Sequence, residues 1–147
     1  MITLGEISTG IIKVLREHME IEYITEEDLS RADGKEFLHI QLIPLKSSTA
    51  AAGHFVDRQV FVDIAYMEKL HTSNRRIYEI LDQIDRAFKP YFKIQGRAFG
   101  PSASMDITDD IGHYKMTLEF TDTVPHEEGP YAEHLKITWR RQENGIT

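Results

Sequence analysis

The chain is predicted to fold as one α+β domain, in which two amphipathic helices pack on a largely antiparallel or mixed β-sheet and an arm follows at the C-terminus. Two observations carry this. Apolar residues recur at helical spacing at Leu4, Ile7, Ile11, Val14 and Leu15, and again at Ile77, Ile80, Leu81, Ile84 and Phe88. Four or five other runs alternate apolar and polar residues with the period of two that marks a half-buried strand. Helices with one apolar stripe and strands with one apolar face each need a cover, and layering the helices on the sheet supplies it to both. At 147 residues, with 41% hydrophobic and 28% charged, the chain has the size and mix of one domain that builds a core without covalent staples.

The first helix has the clearest start. Thr3 and Glu6 stand at capping-box spacing, and Ile2 and Ile7 at the positions of a hydrophobic staple. Gly10 weakens its middle by about 1 kcal/mol relative to alanine, so packing must hold it, and it is expected to end near His18 to Glu20. Glu22–Thr25 is short and β-prone. Phe37–Leu45 sets Leu38, Ile40 and Leu42 against His39 and Gln41, and Pro44 marks either the end of its ladder or a sheet edge. Lys46–His54 is small and polar and is expected to be a long hairpin loop, engaged with a partner or mobile. It leads into a strand over Phe55–Tyr66.

The second helix is expected from about Ser73 to Phe88, closed by Pro90. Ile94–Phe99 reads as a strand that runs into the turn Gly100-Pro101. Met105–Ile107 and His113–Thr121 flank Asp109-Asp110-Ile111-Gly112 as a hairpin, and Tyr114, Met116, Leu118 and Phe120 give its second arm the cleanest period-two pattern in the chain. From Thr123 the texture becomes turn-rich and acidic before a β-prone segment, Leu135–Arg140, that holds the only tryptophan. Residues 1–124 are therefore expected to form the domain and 125–147 an extension.

Composition removes several function classes. With no cysteine there are no disulfides, thiolate nucleophiles or cysteine-bound metals. No apolar run approaches the ~20 residues of a membrane span, and MITLGEISTG has neither the basic start nor the apolar stretch of a signal peptide, so a cytosolic, membrane-free protein is expected. A net charge of −7 argues against nonspecific nucleic-acid binding, which needs lysine and arginine to displace counterions. The charge is uneven: nine acids against four bases over 1–36, six against nine over 37–105, eight against one over 106–133, and one against three over 134–147. Alternating blocks of this kind suit complementary contact with other subunits, although they also describe ordinary solvated faces.

No phosphate loop, dinucleotide fingerprint, His-Glu-x-x-His or nucleophile elbow occurs. Asp106, Asp109 and Asp110 could hold a hard cation and serve a metal-dependent hydrolase, but turns favour aspartate for its bonds to nearby amides. His126, Glu127, Glu128 and His134 match no compact metal spacing. His39 and His113 fall at polar positions of two strands and read as outward-facing residues. No catalytic, metal or cofactor site is assigned.

Three strings near the start, Thr9-Gly10-Ile11-Ile12-Lys13-Val14-Leu15, a β-prone YITEED, and Phe37-Leu38-His39-Ile40-Gln41-Leu42, occur in an order that resembles the phage tail terminator family. These are the tail completion proteins of long-tailed bacteriophages and related phage-tail-like particles. The resemblance continues through Arg58–Met67, Arg75–Ile84 and His113–Val124, covering about residues 1–124. It implies a structural protein without a reaction. Such a protein forms a ring, typically six-fold, that caps the head-proximal end of the tail tube, stops its polymerisation and docks neck or head-completion proteins. In a contractile tail it also meets the last sheath layer, and DNA passes its lumen without specific binding. A neighbouring neck or head–tail connector component is the alternative within this class. The small-residue loop and the arm are the expected subunit contacts, through Lys46, Ser47, Ser48 and His54 and through Tyr131, Lys136, Trp139, Arg140 and Arg141.

Overall fold

A computed structural model describes residues 1–27, 35–68 and 73–124. Helix α1 spans Leu4–His18 and is capped by the Thr3 hydroxyl, which accepts the Glu6 amide at 3.1 Å. Strand β1 (Tyr23–Thr25) is followed by β2 (Phe37–Ala50), a tight turn, and β3 (Phe55–Met67). Helix α2 (Arg75–Phe88) precedes β4 (Phe92–Ile94), β5 (Arg97–Phe99), β6 (Ser102–Thr108) and β7 (Ile111–Thr123). Five strands form one sheet in the order β1-β2-β3-β7-β6, parallel only between β1 and β2, while β4 and β5 pair separately. The fold is α+β, as the two periodicities require. Among the described residues no helix is long and apolar enough to cross a membrane.

Both helical stripes are buried, Ile7, Ile11, Val14 and Leu15 on α1 and Ile77, Ile80, Leu81, Ile84 and Phe88 on α2. They cover one sheet face, made by Leu38, Ile40, Val60, Val62, Ile64, Tyr66, Tyr114, Met116 and Leu118, all buried in one cluster. Gly10 has a positional reason. A Cβ there would stand 2.7 Å from Ile94 Cγ2, because the β4–β5 hairpin lies directly against α1. The weak helix former is needed for that close approach.

Two expected elements are corrected. Lys46–His54 is not a long loop: β2 continues to Ala50 in register with β3, from Lys46 opposite Gln59 to Ala50 opposite Phe55. The connection is a short turn with Ala51, Ala52 and Gly53 at positive φ. Ser47, Ser48 and Thr49 lack an apolar face because this part of the strand lies beyond the helices, and the ladder to β3 holds it instead. Pro44 does sit at an edge. The β1 pairing stops at His39, and the ladder shifts register between Pro44 and Lys46 rather than ending. Ile94–Phe99 is likewise a two-strand hairpin and not one strand, turning at Gln95 and Gly96, both at positive φ.

A polar clamp ties α2 to the sheet. The Tyr66 hydroxyl donates to Glu36 Oε2 at 2.5 Å and Arg76 Nη2 donates to Glu36 Oε1 at 3.1 Å. Burial pushes the Glu36 carboxyl up, but these two donors outweigh it and hold it below its usual range. A carboxylate lowered in the folded state stabilises the fold above its unfolded pKa, and the contribution is lost as pH falls through the folded value. Glu36→Gln is therefore expected to flatten the acid side of a melting-temperature profile below about pH 4 while changing its shape little above pH ~5. Gly10→Ala is expected to destabilise by about 1–3 kcal/mol in chemical denaturation, the clash with Ile94 outweighing a helix-propensity gain of about 1 kcal/mol.

Candidate assembly surface

The sheet is open on the face away from the helices. His39, Ala65, His113 and Asp106 form one cross-strand row there, and Gln41, Asp63, Lys115 and Ser104 form the next. His113 Nδ1 lies 3.0 Å from Asp63 Oδ1, and Lys115 donates to Asp106. His39 and His113 thus face outward with a strand between them, and the neighbour His113 contacts is Asp63. Asp106 also accepts the Thr108 hydroxyl at 3.1 Å, and the Lys115 ammonium keeps its carboxyl below the usual range. Asp109 and Asp110 make the β6–β7 turn, both at positive φ. The three aspartates do not converge, and no group of three metal-capable side chains occurs among the described residues.

Beyond the helices, β2, β3 and β7 continue as a three-stranded extension. Lys46 and Ser48 stand opposite Gln59 and Asp57 on the open face, Ser47 stands opposite Arg58 on the other, and His54 lies in the turn. Cross-strand bonds flatten the open face: Gln59 donates to Glu119 at 2.7 Å and Thr121 to Asp57 at 2.6 Å. A shallow depression of about 370 Å³ lies among Lys46, Asp57, Gln59, Glu119 and Thr121. Ile43, Leu45 and Phe55 are exposed on the same hairpin. Tyr131, Lys136, Trp139, Arg140 and Arg141, and the His126, Glu127, Glu128 and His134 set, lie outside the described residues.

On the helix side the extension is closed by a charged knot that the sequence reading missed. Asp122, 2% exposed, accepts the Ile2 amide at 3.1 Å and pairs with Arg97 at 2.5 Å and Arg58 at 3.9 Å. Arg58 also donates to the Ile2 carbonyl at 2.6 Å, and both guanidiniums lie against the Phe120 ring, 5.4 and 5.6 Å from its centroid. The signal was present. Tyr114, Met116, Leu118 and Phe120 face inward at period two, and Asp122 is the next member of that series. The Val124 amide then donates to the His54 carbonyl at 3.1 Å, tying the end of β7 to the β2–β3 turn.

An α+β subunit whose sheet is open on one face, and whose longest strands run past its helices, offers broad surface to other proteins. Residues 6–130 match the phage tail terminator protein family, and the chain belongs to that family. It is a structural tail-completion protein of the bacteriophage virion tail, a role that places it between tail proteins and head or neck proteins. No curated protein matches the chain.

Asp122→Asn leaves Arg58 and Arg97 without their carboxylate and is expected to cost about 2–3 kcal/mol in denaturant unfolding. Faster hydrogen exchange at the Ile2 amide should accompany it, and unchanged exchange there would separate the knot from the anchoring of the N-terminus.

Proposed function

We propose that copies of this chain form a closed ring, six-fold in the simplest case, that caps the head-proximal end of the tail tube. The ring ends tube polymerisation and presents the docking surface for neck or head-completion proteins, and for the last sheath layer where the tail contracts. The family match over residues 6–130 carries this reading. Physical features support it. A closed ring needs a heterologous contact, one patch of each subunit meeting a different patch of the next. This sheet has two unlike edges, and the chain has acidic and basic blocks to match. A net charge of −7 also suits a lumen past which DNA slides, since lysine- and arginine-rich walls would hold phosphates. Assembly in the bacterial host cytoplasm follows from the same reading.

Purified chain added to polymerising tube protein is expected to bound tube length and to sit at one tube end in negative stain. Labelled chain distributed along the tube, or tubes of unchanged length, would refute the capping role. A neck component is told apart by the same image, because it would reach the tube only through another protein. Truncation after Val124 is expected to leave the melting transition within a few degrees of the full chain while ring formation falls sharply by light scattering. Normal rings from the shortened chain would remove the extension from the contact.

A further inference from the structure

The two edges of the main sheet are built differently. On β2, beyond the short β1 pairing, the edge carries Pro44, a register shift and Lys46, the devices that keep an edge from pairing with another strand. On β6, Ser102–Thr108 reads SASMDIT, with neither proline nor lysine, and it closes the sheet with β7 as its one neighbour. Beside that edge, on the helix side, lies a groove of about 380 Å³ lined by Tyr78, Leu81 and Asp82 of α2 and by Met105, Asp106 and Ile107 of β6. Tyr78 is 57% exposed and Met105 46%, so two large apolar side chains of this groove face solvent. An unblocked strand edge next to an apolar helix face is the geometry that accepts an added strand, with backbone hydrogen bonds for affinity and alternate side chains in the groove.

The chain contains a segment of matching chemistry. Leu135-Lys136-Ile137-Thr138-Trp139-Arg140 alternates three apolar residues with two basic ones and a threonine, and Arg141 follows. Six residues suit the seven of β6. A strand added there would turn the side of Leu135, Ile137 and Trp139 to Tyr78, Leu81, Met105 and Ile107, and the side of Lys136 and Arg140 to the open face, where Asp106 is shared with Lys115 of its own subunit. We propose that this C-terminal segment adds as a strand to the β6 edge of a neighbouring copy. The ten residues between Val124 and Leu135 reach up to ~35 Å, enough to leave the domain at the His54 turn and cross to another subunit. A chain that turned back from the end of β7 onto its own β6 would run parallel to it, whereas a neighbour's segment can take the stronger antiparallel ladder. The choice of a second copy over the same copy rests on the ring reading, because arm and groove are the unlike patches that a ring requires.

The sole tryptophan is the reporter. In the full chain, Trp139 emission is expected to shift to the blue, and sedimenting mass to rise, over the same concentration range. A groove variant, Tyr78→Lys with Met105→Lys, changes only exposed side chains, and its circular dichroism should match the parent. It is expected to raise the association midpoint about tenfold or more and to keep Trp139 solvent-exposed. An arm variant, Leu135→Asp with Ile137→Asp, should fail likewise. An equimolar mixture of the two is then expected to give dimers and stop there, since one partner retains the arm and the other the groove. Blue-shifted emission in monomers at every concentration would overturn the proposal in favour of docking within one chain. A mixture that stays monomeric, a parent that stays monomeric with exposed Trp139 up to its solubility limit, or a two-fold dimer with exposed Trp139 would also overturn it. If the groove variant still closes rings, strand addition falls and the ring reading stands. If the parent buries Trp139 on association yet never caps a tube, the ring reading falls and strand addition stands.

Discussion

At 1.5 Å per residue, α1 and α2, of 15 and 14 residues, are each about 22 Å long. At about 3.3 Å per residue, β2, β3 and β7, of 14, 13 and 13 residues, run to about 45 Å. Apolar burial ends after Ile40 on β2, begins only at Val60 on β3 and ends at Leu118 on β7, so the helices cover only part of these strands, and this mismatch governs the rest of the structure. Where there is cover, the inward positions are isoleucine, valine, leucine, methionine and tyrosine and are buried. Where cover ends, the same strands carry serine, threonine, arginine and aspartate, and hydrogen bonding takes over from apolar burial.

The Asp122 knot meets the cost of that change. An aspartate at an inward position is expensive unless every oxygen is engaged, and here the Ile2 amide and two guanidiniums engage it. The arrangement also covers Phe120 with two flat cations in place of a third helix. Because Ile2 precedes the α1 cap by one residue and Asp122 lies one residue before the end of β7, the knot joins the start of the first helix and the end of the last described strand to the β2–β3 hairpin. The end of β7 is thereby held by the same residues that start the first helix.

Much of this was legible in the sequence, for identifiable reasons. Both helices and the β6–β7 hairpin follow from periodicity and turn chemistry, signals that depend on neighbours in sequence alone. The Asp109-Asp110 turn was read correctly because aspartate tolerates positive φ and bonds to local amides. The stretch Lys46–Ala50 was misread because its ladder depends on β3, and a strand without an apolar face leaves no periodic trace. Gln95-Gly96 was missed because it interrupts a run short enough to pass as one strand. The knot depends on four residues from four distant parts of the chain, Ile2, Arg58, Arg97 and Asp122, and only the parity of Asp122 announced it.

Partial cover also bears on direction. A sheet open on one face has two edges, and edges pair indiscriminately unless something forbids it. Had both been open, copies could have joined edge to edge in either sense and grown without limit. Had both been blocked, the sheet could have joined only through its polar face, whose Asp63–His113 and Asp106–Lys115 pairs are already matched within the subunit. Blocking β2 with Pro44, a shifted register and Lys46, and leaving β6 bare beside Tyr78 and Leu81 of α2, leaves the sheet one edge open to pairing. Under the proposed strand addition, contacts through that edge are head to tail, and head-to-tail contacts close on themselves when the rotation between neighbours divides the circle. In the proposed ring no edge is left at which growth continues, so the asymmetry of the two edges suits an end better than a repeat.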